Sequence, residues 1–309
     1  MDQTDLVVIG AGVAGLAAAT HAARRGLEVL VIERVGAGGQ VMAVERIANY
    51  PDYPGGIAGF ELGPALQAVA EEAGVRFRLD SVTRIQAAGA GARLEVQGES
   101  GSIMARAVLV AAGSSRRALG VPGEDALEGR GVSHCAACDG PLFRGEPVCV
   151  VGGGDSAVGE AVVLARYASE VTLVFEGEAP HAQAYLMDAL SECGNVRLLR
   201  RARVTAIEGG NGVTGVRIRS GAAEQSVPVS GVFIYAGLRA ASGFLDGLVE
   251  LDGAGRVVCG PTGRSSIAGV YAAGDIRAGI PYTLVAAQQS GTSTAMAIVH
   301  DLISIGDLA

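Results

Sequence analysis

The stretch Asp5-Leu-Val-Val-Ile-Gly-Ala-Gly-Val-Ala-Gly15 decides the fold. A short β-branched strand runs into Gly10, Gly12 and Gly15, and an Ala-rich helix and a strand over residues 28–33 follow. In such a turn the first glycine allows the tight bend, the second lets the backbone approach a pyrophosphate, and the third lets helix and strand pack closely. The helix N-terminus then faces the phosphates with unpaired N–H groups, so the stretch predicts a dinucleotide site.

An acidic residue completes this first unit. Glu33 lies 23 residues after Gly10, at the end of the second strand. A carboxylate at that place can accept hydrogen bonds from a ribose. The alternative, a glycine turn in a sheet protein without a ligand, explains neither the helix nor the acid.

The same pattern occurs a second time, in Val148-Cys-Val-Val-Gly-Gly-Gly-Asp-Ser-Ala157. Gly152, Gly154 and Ala157 take the three turn positions, because alanine is allowed at the third. Glu176 follows 24 residues after Gly152, at the predicted end of the next strand. An acid there suits a free ribose 2′-OH and repels a 2′-phosphate, which favours NADH over NADPH. Two dinucleotide sites imply two cofactors that exchange electrons, commonly FAD with a nicotinamide.

The two units predict an α/β fold with two Rossmann-like dinucleotide-binding domains, the second inserted into the first. We expect an FAD-binding domain from residues 1–113 and 245–309, and an NAD(P)-binding domain over residues 114–244. Further strands are expected at 93–96, 107–112, 212–218, 227–236 and 269–273, and further helices at 67–73 and 284–302.

Composition excludes several classes of protein. The 309 residues are 49% hydrophobic and 18% charged, which excludes a disordered chain. A net charge of −8, 4% aromatics and no Trp argue against a nucleic-acid partner. Residues 6–23 and 280–300 lack formal charges, but their glycines and polar side chains argue against a membrane span. No signal peptide is visible, so a cytoplasmic location is expected.

The cysteines point to redox chemistry. Of the five cysteines, at 135, 138, 149, 193 and 259, one pair is close: Cys135-Ala-Ala-Cys138. Two cysteines three apart, the first near a helix start, can close a reactive disulfide, and the motif lowers thiol pKa values. Zinc needs two more ligands at suitable spacing, so no metal is expected. Asp139 can move the proton that thiolate formation requires, or it can simply cap a turn.

Over nearly its whole length the chain resembles the low-molecular-weight thioredoxin reductases, which are FAD-containing pyridine-nucleotide disulfide oxidoreductases. The matching segments occur in the family order and spacing. They are Gly10-Ala-Gly-Val-Ala-Gly15, Gly38-Gly-Gln40, Asn49-Tyr-Pro51, Ala111-Ala-Gly113, Pro122-Gly-Glu124, Gly131-Val-Ser-His-Cys-Ala-Ala-Cys-Asp-Gly140, Gly152-Gly-Gly-Asp-Ser-Ala157 and Ala272-Ala-Gly-Asp275.

The resemblance implies a role for each segment. FAD is expected on residues 10–15 with Glu33 on its adenosine ribose, and the other FAD-binding positions are Gln40, Asn49, Ala112, Gly113, Gly274 and Asp275. Cys138 is expected nearest the flavin, Cys135 attacks the partner disulfide, and Asp139 is the acid/base. The partner would be a thioredoxin-like or peroxiredoxin-type protein, and the chain a homodimer. Rotation of the inserted domain, with hinges near Gly113 and Ala240, would present dithiol and nicotinamide to the flavin in turn.

The chain departs from the family pattern at the second dinucleotide site. The usual His-Arg-Arg run for the 2′-phosphate falls on Phe175-Glu176-Gly177, and a later Arg falls on His181. A Tyr-Arg-Gln near the last helix reads Tyr282-Thr283-Leu284, followed by Ser290-Gly291-Thr292. The missing arginines also resemble the NADH-dependent flavoprotein subunit of alkyl hydroperoxide reductase. The basic run Arg197, Arg200, Arg201 and Arg203 is interpreted as a solvated face.

Other functions remain open at this point. A dithiol oxidase on the same scaffold would form a disulfide and pass electrons through FAD to O₂, without a nicotinamide. Another alternative is that ferredoxin, and not a nicotinamide, reduces FAD. A flavin-binding redox sensor and a flavin reductase that bypasses the cysteines are further alternatives.

The acid at position 176 generates the first testable expectation. Steady-state kinetics with each nucleotide should give the larger kcat/KM for NADH, because Glu176 accepts from a ribose 2′-OH and repels a 2′-phosphate. A larger kcat/KM for NADPH would contradict this interpretation of Glu176.

Overall fold

The computed structural model describes residues 2–88, 93–245 and 247–306. The helices are α1 (Val13–Arg24), α2 (Gly59–Glu72), α3 (Ala136–Asp139), α4 (Asp155–Leu164), α5 (Ala184–Ser191) and α6 (Leu284–Gly306). The strands are β1 (Asp2–Ile9), β2 (Val29–Glu33), β3 (Arg76–Leu79), β4 (Val82–Ala87), β5 (Leu94–Gly98), β6 (Gly101–Val110), β7 (Ser114–Arg116), β8 (Val132–Ser133), β9 (Pro147–Val151), β10 (Glu170–Val174), β11 (Val196–Leu199), β12 (Ala202–Gly209), β13 (Val213–Ser220), β14 (Ala223–Pro228), β15 (Gly231–Ile234), β16 (Leu238–Ala240) and β17 (Val270–Ala272).

The chain divides into two compact units. Unit 1 comprises Met1–Ser115 and Arg239–Ala309, and unit 2 is Arg116–Leu238. The chain crosses between the units in β7 and β16, two short strands that pair with each other. Unit 2 is therefore an insertion into unit 1, as expected of a second Rossmann-like domain.

Unit 1 is built on a seven-stranded sheet in the order β3-β2-β1-β6-β5-β4, with β17 also paired to β6. The pairs around β1 are parallel, while β4, β5 and β6 pair antiparallel. Leu6, Val7 and Val8 are completely buried, because α1 and α6 cover one face of β1 and a second apolar cluster covers the other. A strand buried on both faces has the continuous apolar sequence of β1.

Unit 2 is built on a five-stranded sheet in the order β11-β10-β9-β15-β8, and all its pairs are parallel. One face packs on α4 and α5, with Val158, Leu164 and Leu190 in the core. The other face packs on the antiparallel sheet β12-β13-β14. Both units thus place the carboxyl end of a central parallel strand, β1 or β9, directly before a glycine turn.

At Gly291, helix α6 lies directly against the backbone of α1. A Cβ atom added at Gly291 of α6 would overlap the carbonyl oxygen of Ala14 in α1. A Cβ added at Gly274 would lie 2.7 Å from the Ala14 methyl group. The glycine in the altered segment Ser290-Gly291-Thr292 therefore serves helix packing beside the first dinucleotide loop.

Three sequence expectations need correction. The single strand expected at 227–236 is two strands, because β14 is exposed at the edge of the antiparallel sheet and the chain then turns into the buried β15. The helix expected at 67–73 begins earlier, at Gly59, despite an internal Pro64. The second crossing lies at 238/239, not 244/245, because Leu245 is completely buried in the unit 1 core.

The uncharged segments 6–23 and 280–300 belong to the packed elements of unit 1. Among the described helices, none combines the length and the apolar character that crossing a bilayer requires.

The α1–α6 contact generates a stability prediction. Gly291→Ala should lower the free energy of unfolding by about 1–3 kcal/mol, because an added methyl has no space against the α1 backbone. Gly159→Ala in α4 is the matched control: its Cβ would meet only Leu186 Cδ2, at 3.6 Å, so stability should hold or rise by up to about 1 kcal/mol. Urea unfolding followed by circular dichroism measures both, and equal midpoints for G291A and wild type would contradict the packing argument.

Candidate active site

The first glycine loop leaves an open approach to the backbone at one position. Gly10 has φ +104°, and a Cβ there would lie 2.5 Å from the carbonyl oxygen of Ala111. A Cβ at Gly15 would overlap the Gly10 carbonyl oxygen, whereas one at Gly12 would meet no heavy atom within 4 Å. Gly12 is also the N-cap of α1 and provides no side-chain cap, so the first N–H groups of α1 are available to a phosphate.

Glu33 ties the end of β2 to this loop. Its Oε2 accepts the Ala11 N–H at 2.8 Å, and its Oε1 accepts the N–H groups of Arg34 and Val35 at 2.8 and 3.0 Å. Three backbone donors hold the carboxylate beside the glycine turn. A carboxylate offers about four lone-pair sites, so it retains capacity for a ligand hydroxyl.

A chain of hydrogen bonds through Ser114 joins two other expected ligand positions of unit 1, Gln40 and Asp275. Gln40 Nε2 donates to the Ser114 carbonyl oxygen at 2.6 Å, and Ser114 Oγ donates to Asp275 Oδ2 at 3.0 Å. Burial raises the pKa of Asp275, and the Ser114 hydrogen bond partly offsets this. Ser290 Oγ accepts the Gly274 N–H at 3.2 Å.

The remaining expected ligands of unit 1 lie at the surface or half-buried. Asn49 is exposed, and Ala112 and Gly113 are half-buried after the end of β6. Gly113 has φ +66°, a backbone conformation that glycine adopts without strain.

The second glycine loop has the same construction in unit 2. Gly152 has φ +136°, and a Cβ there would overlap the Tyr235 carbonyl oxygen. Gly154 is the N-cap of α4, without a side-chain cap, and Ala157 is buried in the core. The first N–H groups of α4 thus have no side-chain cap, as in α1.

A short segment, residues 177–183, folds back onto this loop; we call it the strap. The His181 N–H donates to the Gly153 carbonyl oxygen at 2.7 Å. Asp155 at the start of α4 accepts the Gln183 N–H at 2.8 Å and the Gln183 side-chain Nε2 at 2.6 Å. The strap begins beside Glu176, so it borders the region where an adenosine ribose would lie.

Glu176 is exposed, and it lies two residues beyond the end of β10 rather than at the strand end as expected. The Phe175 N–H still donates to the Leu199 carbonyl oxygen of β11, and the chain then turns away into the strap. Arg201 forms an ion pair with Glu178 of the strap. Its backbone N–H donates to the Gly177 carbonyl oxygen. One arginine of the basic run is therefore paired with an acid in this region, while Arg197, Arg200 and Arg203 are exposed.

Cys135 and Cys138 form a disulfide in unit 2, with their Cα atoms 5.3 Å apart. Cys135 is the N-cap of α3, and its sulfur accepts the Cys138 N–H at 3.2 Å. Cys135 is half-buried, whereas Cys138 is exposed. The buried Ser133 hydroxyl donates to Asp139 Oδ2 at 2.6 Å and accepts the Cys135 N–H at 3.2 Å. This connects the carboxylate of Asp139 to the backbone of the first cysteine.

Two residues of this site were missed in the sequence. Glu160 of α4 and Tyr235 after β15 both contact the Ala136 N–H, at 2.7 and 3.3 Å, and Tyr235 OH donates to Glu160 Oε2 at 3.0 Å. They lie 24 and 99 residues from Ala136 along the chain. The one signal was an acid between small and apolar residues in Gly159-Glu160-Ala161.

Of the other cysteines, Cys149 is buried, and Cys193 and Cys259 are half-buried. Burial raises the pKa of the Cys149 thiol to about 12, and it also raises the pKa values of Cys193 and Cys259. Such thiols are inert packing groups. Within residues 2–88, 93–245 and 247–306, no three His, Cys, Asp or Glu side chains are grouped to hold a metal ion.

Comparison with known proteins gives the family of the chain. Residues 4–291 match the family model described as pyridine nucleotide-disulphide oxidoreductase. A thioredoxin reductase from Mycolicibacterium smegmatis is 40% identical over 275 residues, which cover 88% of each chain. The chain belongs to the low-molecular-weight thioredoxin reductase family of pyridine nucleotide-disulphide oxidoreductases.

Two further relatives extend this result. The crystal structure of Lactococcus lactis thioredoxin reductase superposes with a TM-score of 0.94 at 30% identity, covering 97% of this chain and 99% of that one. A protein named bifunctional thioredoxin reductase/thioredoxin, from Mycobacterium leprae, is 38% identical over 88% of this chain and 60% of its own, longer chain. This member of the family is an oxidoreductase that acts on disulfides, and the family implies FAD and a pyridine nucleotide as cofactors.

The strap generates a prediction about local dynamics. Gln183→Ala should speed hydrogen exchange of the His181 amide by about fivefold, because it removes one of the two Asp155 contacts and a hydrogen bond is worth about 1 kcal/mol. Gln225→Ala, on the exposed strand β14, is the matched control and should leave the His181 amide unchanged. Equal exchange in Q183A and wild type would mean that the side chain does not hold the strap.

Proposed function

We propose that this protein passes electrons from NADH through FAD to the Cys135–Cys138 disulfide, and from there to a disulfide of a thioredoxin-like or peroxiredoxin-type protein. One observation carries the proposal. The Cys135–Cys138 disulfide and a dinucleotide-type glycine loop lie in the same unit, which is inserted in a second unit with its own glycine loop.

The residues of unit 1 fit FAD. The uncapped N-terminus of α1 and the open space at Gly12 suit a pyrophosphate, and the carboxylate of Glu33 suits a ribose. Gln40, Asn49, Ala112, Gly113, Gly274 and Asp275 are the remaining proposed contacts. When bound, FAD would supply the redox chemistry that links a hydride donor to a disulfide acceptor. The protein positions it and keeps Asp275 hydrogen-bonded to Ser114.

The residues of unit 2 fit a nicotinamide dinucleotide without a 2′-phosphate. Gly152, Gly154 and Ala157 form the phosphate loop, and the exposed Glu176 supplies a ribose acceptor. Arg201 contacts this turn through its backbone N–H on the Gly177 carbonyl oxygen, and its side chain forms an exposed ion pair with Glu178. This arrangement supports NADH as the donor.

The cysteines and Asp139 carry the chemistry on the partner. Reduction of the Cys135–Cys138 disulfide takes two electrons and two protons and yields two thiols. Cys135 gives its proton to solvent, and its thiolate attacks one sulfur of the partner disulfide. This forms a mixed disulfide and releases the other partner sulfur as a thiolate, which takes a proton from solvent. Cys138 attacks the mixed disulfide, which restores the Cys135–Cys138 bond and leaves the partner reduced. Asp139 accepts the Cys138 proton and delivers it to the departing partner sulfur.

The names of the relatives support the partner class. One relative carries thioredoxin reductase and thioredoxin in its name, in one chain longer than this one. Assembly as a homodimer and a cytoplasmic location stay predictions of the sequence.

Separate variants of the two cysteines test this proposal. C135S and C138S should each lower NADH-dependent reduction of a thioredoxin from the same cell by at least about 10³-fold, because neither can complete the exchange. Both variants should still reduce ferricyanide with NADH, since that reaction needs only the flavin. Cys193→Ser, a partly buried thiol of the same unit, is the matched control and should keep both activities.

A dithiol oxidase would behave differently in the same assay. It would consume O₂ with small dithiols in the absence of any nicotinamide, and wild-type protein would reduce neither thioredoxin nor ferricyanide with NADH. That pair of results would overturn the proposal.

A further inference from the structure

The turn that carries the disulfide is held by a carboxylate from outside the turn. The Ala136 N–H, the first of α3, donates to Glu160 Oε2 at 2.7 Å. The Tyr235 hydroxyl donates to the same oxygen at 3.0 Å, and its own oxygen lies 3.3 Å from the Ala136 nitrogen. Because Cys135 is the N-cap of α3, this carboxylate binds the peptide that directly follows the first cysteine.

The network presents one negative charge to the turn. Burial and the neighbouring Glu160 raise the pKa of Tyr235, so its hydroxyl stays protonated and acts as the donor. Ala136 is completely buried and Glu160 is half-buried, so the charge is incompletely screened by water.

Several other charged groups surround Cys135. Asp139 is bound to Ser133 in the same turn, so a second acid lies on α3 itself. His134, whose Nδ1 lies 3.2 Å from the Ile234 carbonyl oxygen, has Nε2 at 3.3 Å from Glu128. Arg116 faces Tyr235 and slightly lowers its pKa.

We propose that Glu160 is a positioning residue for the redox pair: its carboxylate fixes the turn at Ala136 and makes the thiolate of Cys135 harder to form after reduction. A nearby like charge disfavours the ionised form of an acid. Reduction converts the disulfide into two thiols, and Cys135 becomes nucleophilic only when it then gives its proton to solvent or base. Glu160 thus sets the pH at which the reduced protein becomes reactive.

The test measures the acidity of one thiol. FAD-loaded full-length C138S protein, in which Cys135 lacks its disulfide partner, is alkylated with iodoacetamide at a series of pH values. Mass spectrometry of the peptide that contains Cys135 gives the rate. Adding Glu160→Gln should move the midpoint of the pH profile down by about one unit, because it removes the charge and keeps an acceptor for Ala136.

Three matched variants separate charge from scaffold. Glu146→Gln makes the same charge change at an exposed site that binds Ser230, and the midpoint should not move. Tyr235→Phe keeps the carboxylate, and the midpoint should stay within about 0.3 unit of C138S. Glu160→Asp shortens the side chain by one methylene and so moves the charge away from Ala136. It should move the midpoint in the same direction as E160Q by less, and it carries the test alone if E160Q does not fold.

Two results would overturn the proposal. Folded E160Q and E160D proteins whose midpoints match that of E146Q would show that the charge does not reach Cys135. A Y235F shift as large as that of E160Q would show that the contact, not the charge, matters. The measurement uses no nicotinamide and no partner protein, so its failure is distinguishable from failure of the proposed function.

Discussion

The turn that joins β1 to α1 leaves no room for a side chain at its first and third glycines, and the rest of unit 1 depends on that constraint. Gly10 abuts the Ala111 carbonyl group, Gly15 abuts Gly10, and Gly291 of α6 abuts Ala14. The close approach fixes β1, α1 and α6 against one another. It also leaves the N-terminus of α1 uncapped beside the open position at Gly12. Tight backbone packing thus creates the place where a phosphate can bind.

Unit 2 repeats this constraint and adds the disulfide to it. Gly152 abuts the carbonyl group of Tyr235, whose hydroxyl reaches Glu160, and Glu160 holds the turn that contains Cys135 and Cys138. The glycine loop, the helix it opens and the redox turn are therefore linked by direct contacts within one unit. This explains how a short four-residue helix, with little stability of its own, keeps a defined geometry around the disulfide.

The local motifs were predictable from the sequence, and the long-range contacts were not. Glycine spacing fixes both turns because only particular residues fit them, and two cysteines three apart were expected to close the disulfide that is observed. Glu160 was not predictable, because its partners lie 24 and 75 residues away and only the fold brings them together. The break between β14 and β15 was missed although Pro228 signals it, because a proline is confined to the edge strands or bulges of a sheet.

The central claim is that electrons from a nicotinamide reach the Cys135–Cys138 disulfide through the flavin. An anaerobic titration of FAD-loaded protein with NADH, followed through the visible flavin band, tests it most directly. The flavin and the disulfide each take two electrons, so full bleaching should require about two equivalents of NADH per chain in wild type and about one in the C135S/C138S double variant. Complete bleaching of both proteins at about one equivalent, or of neither, would contradict the account.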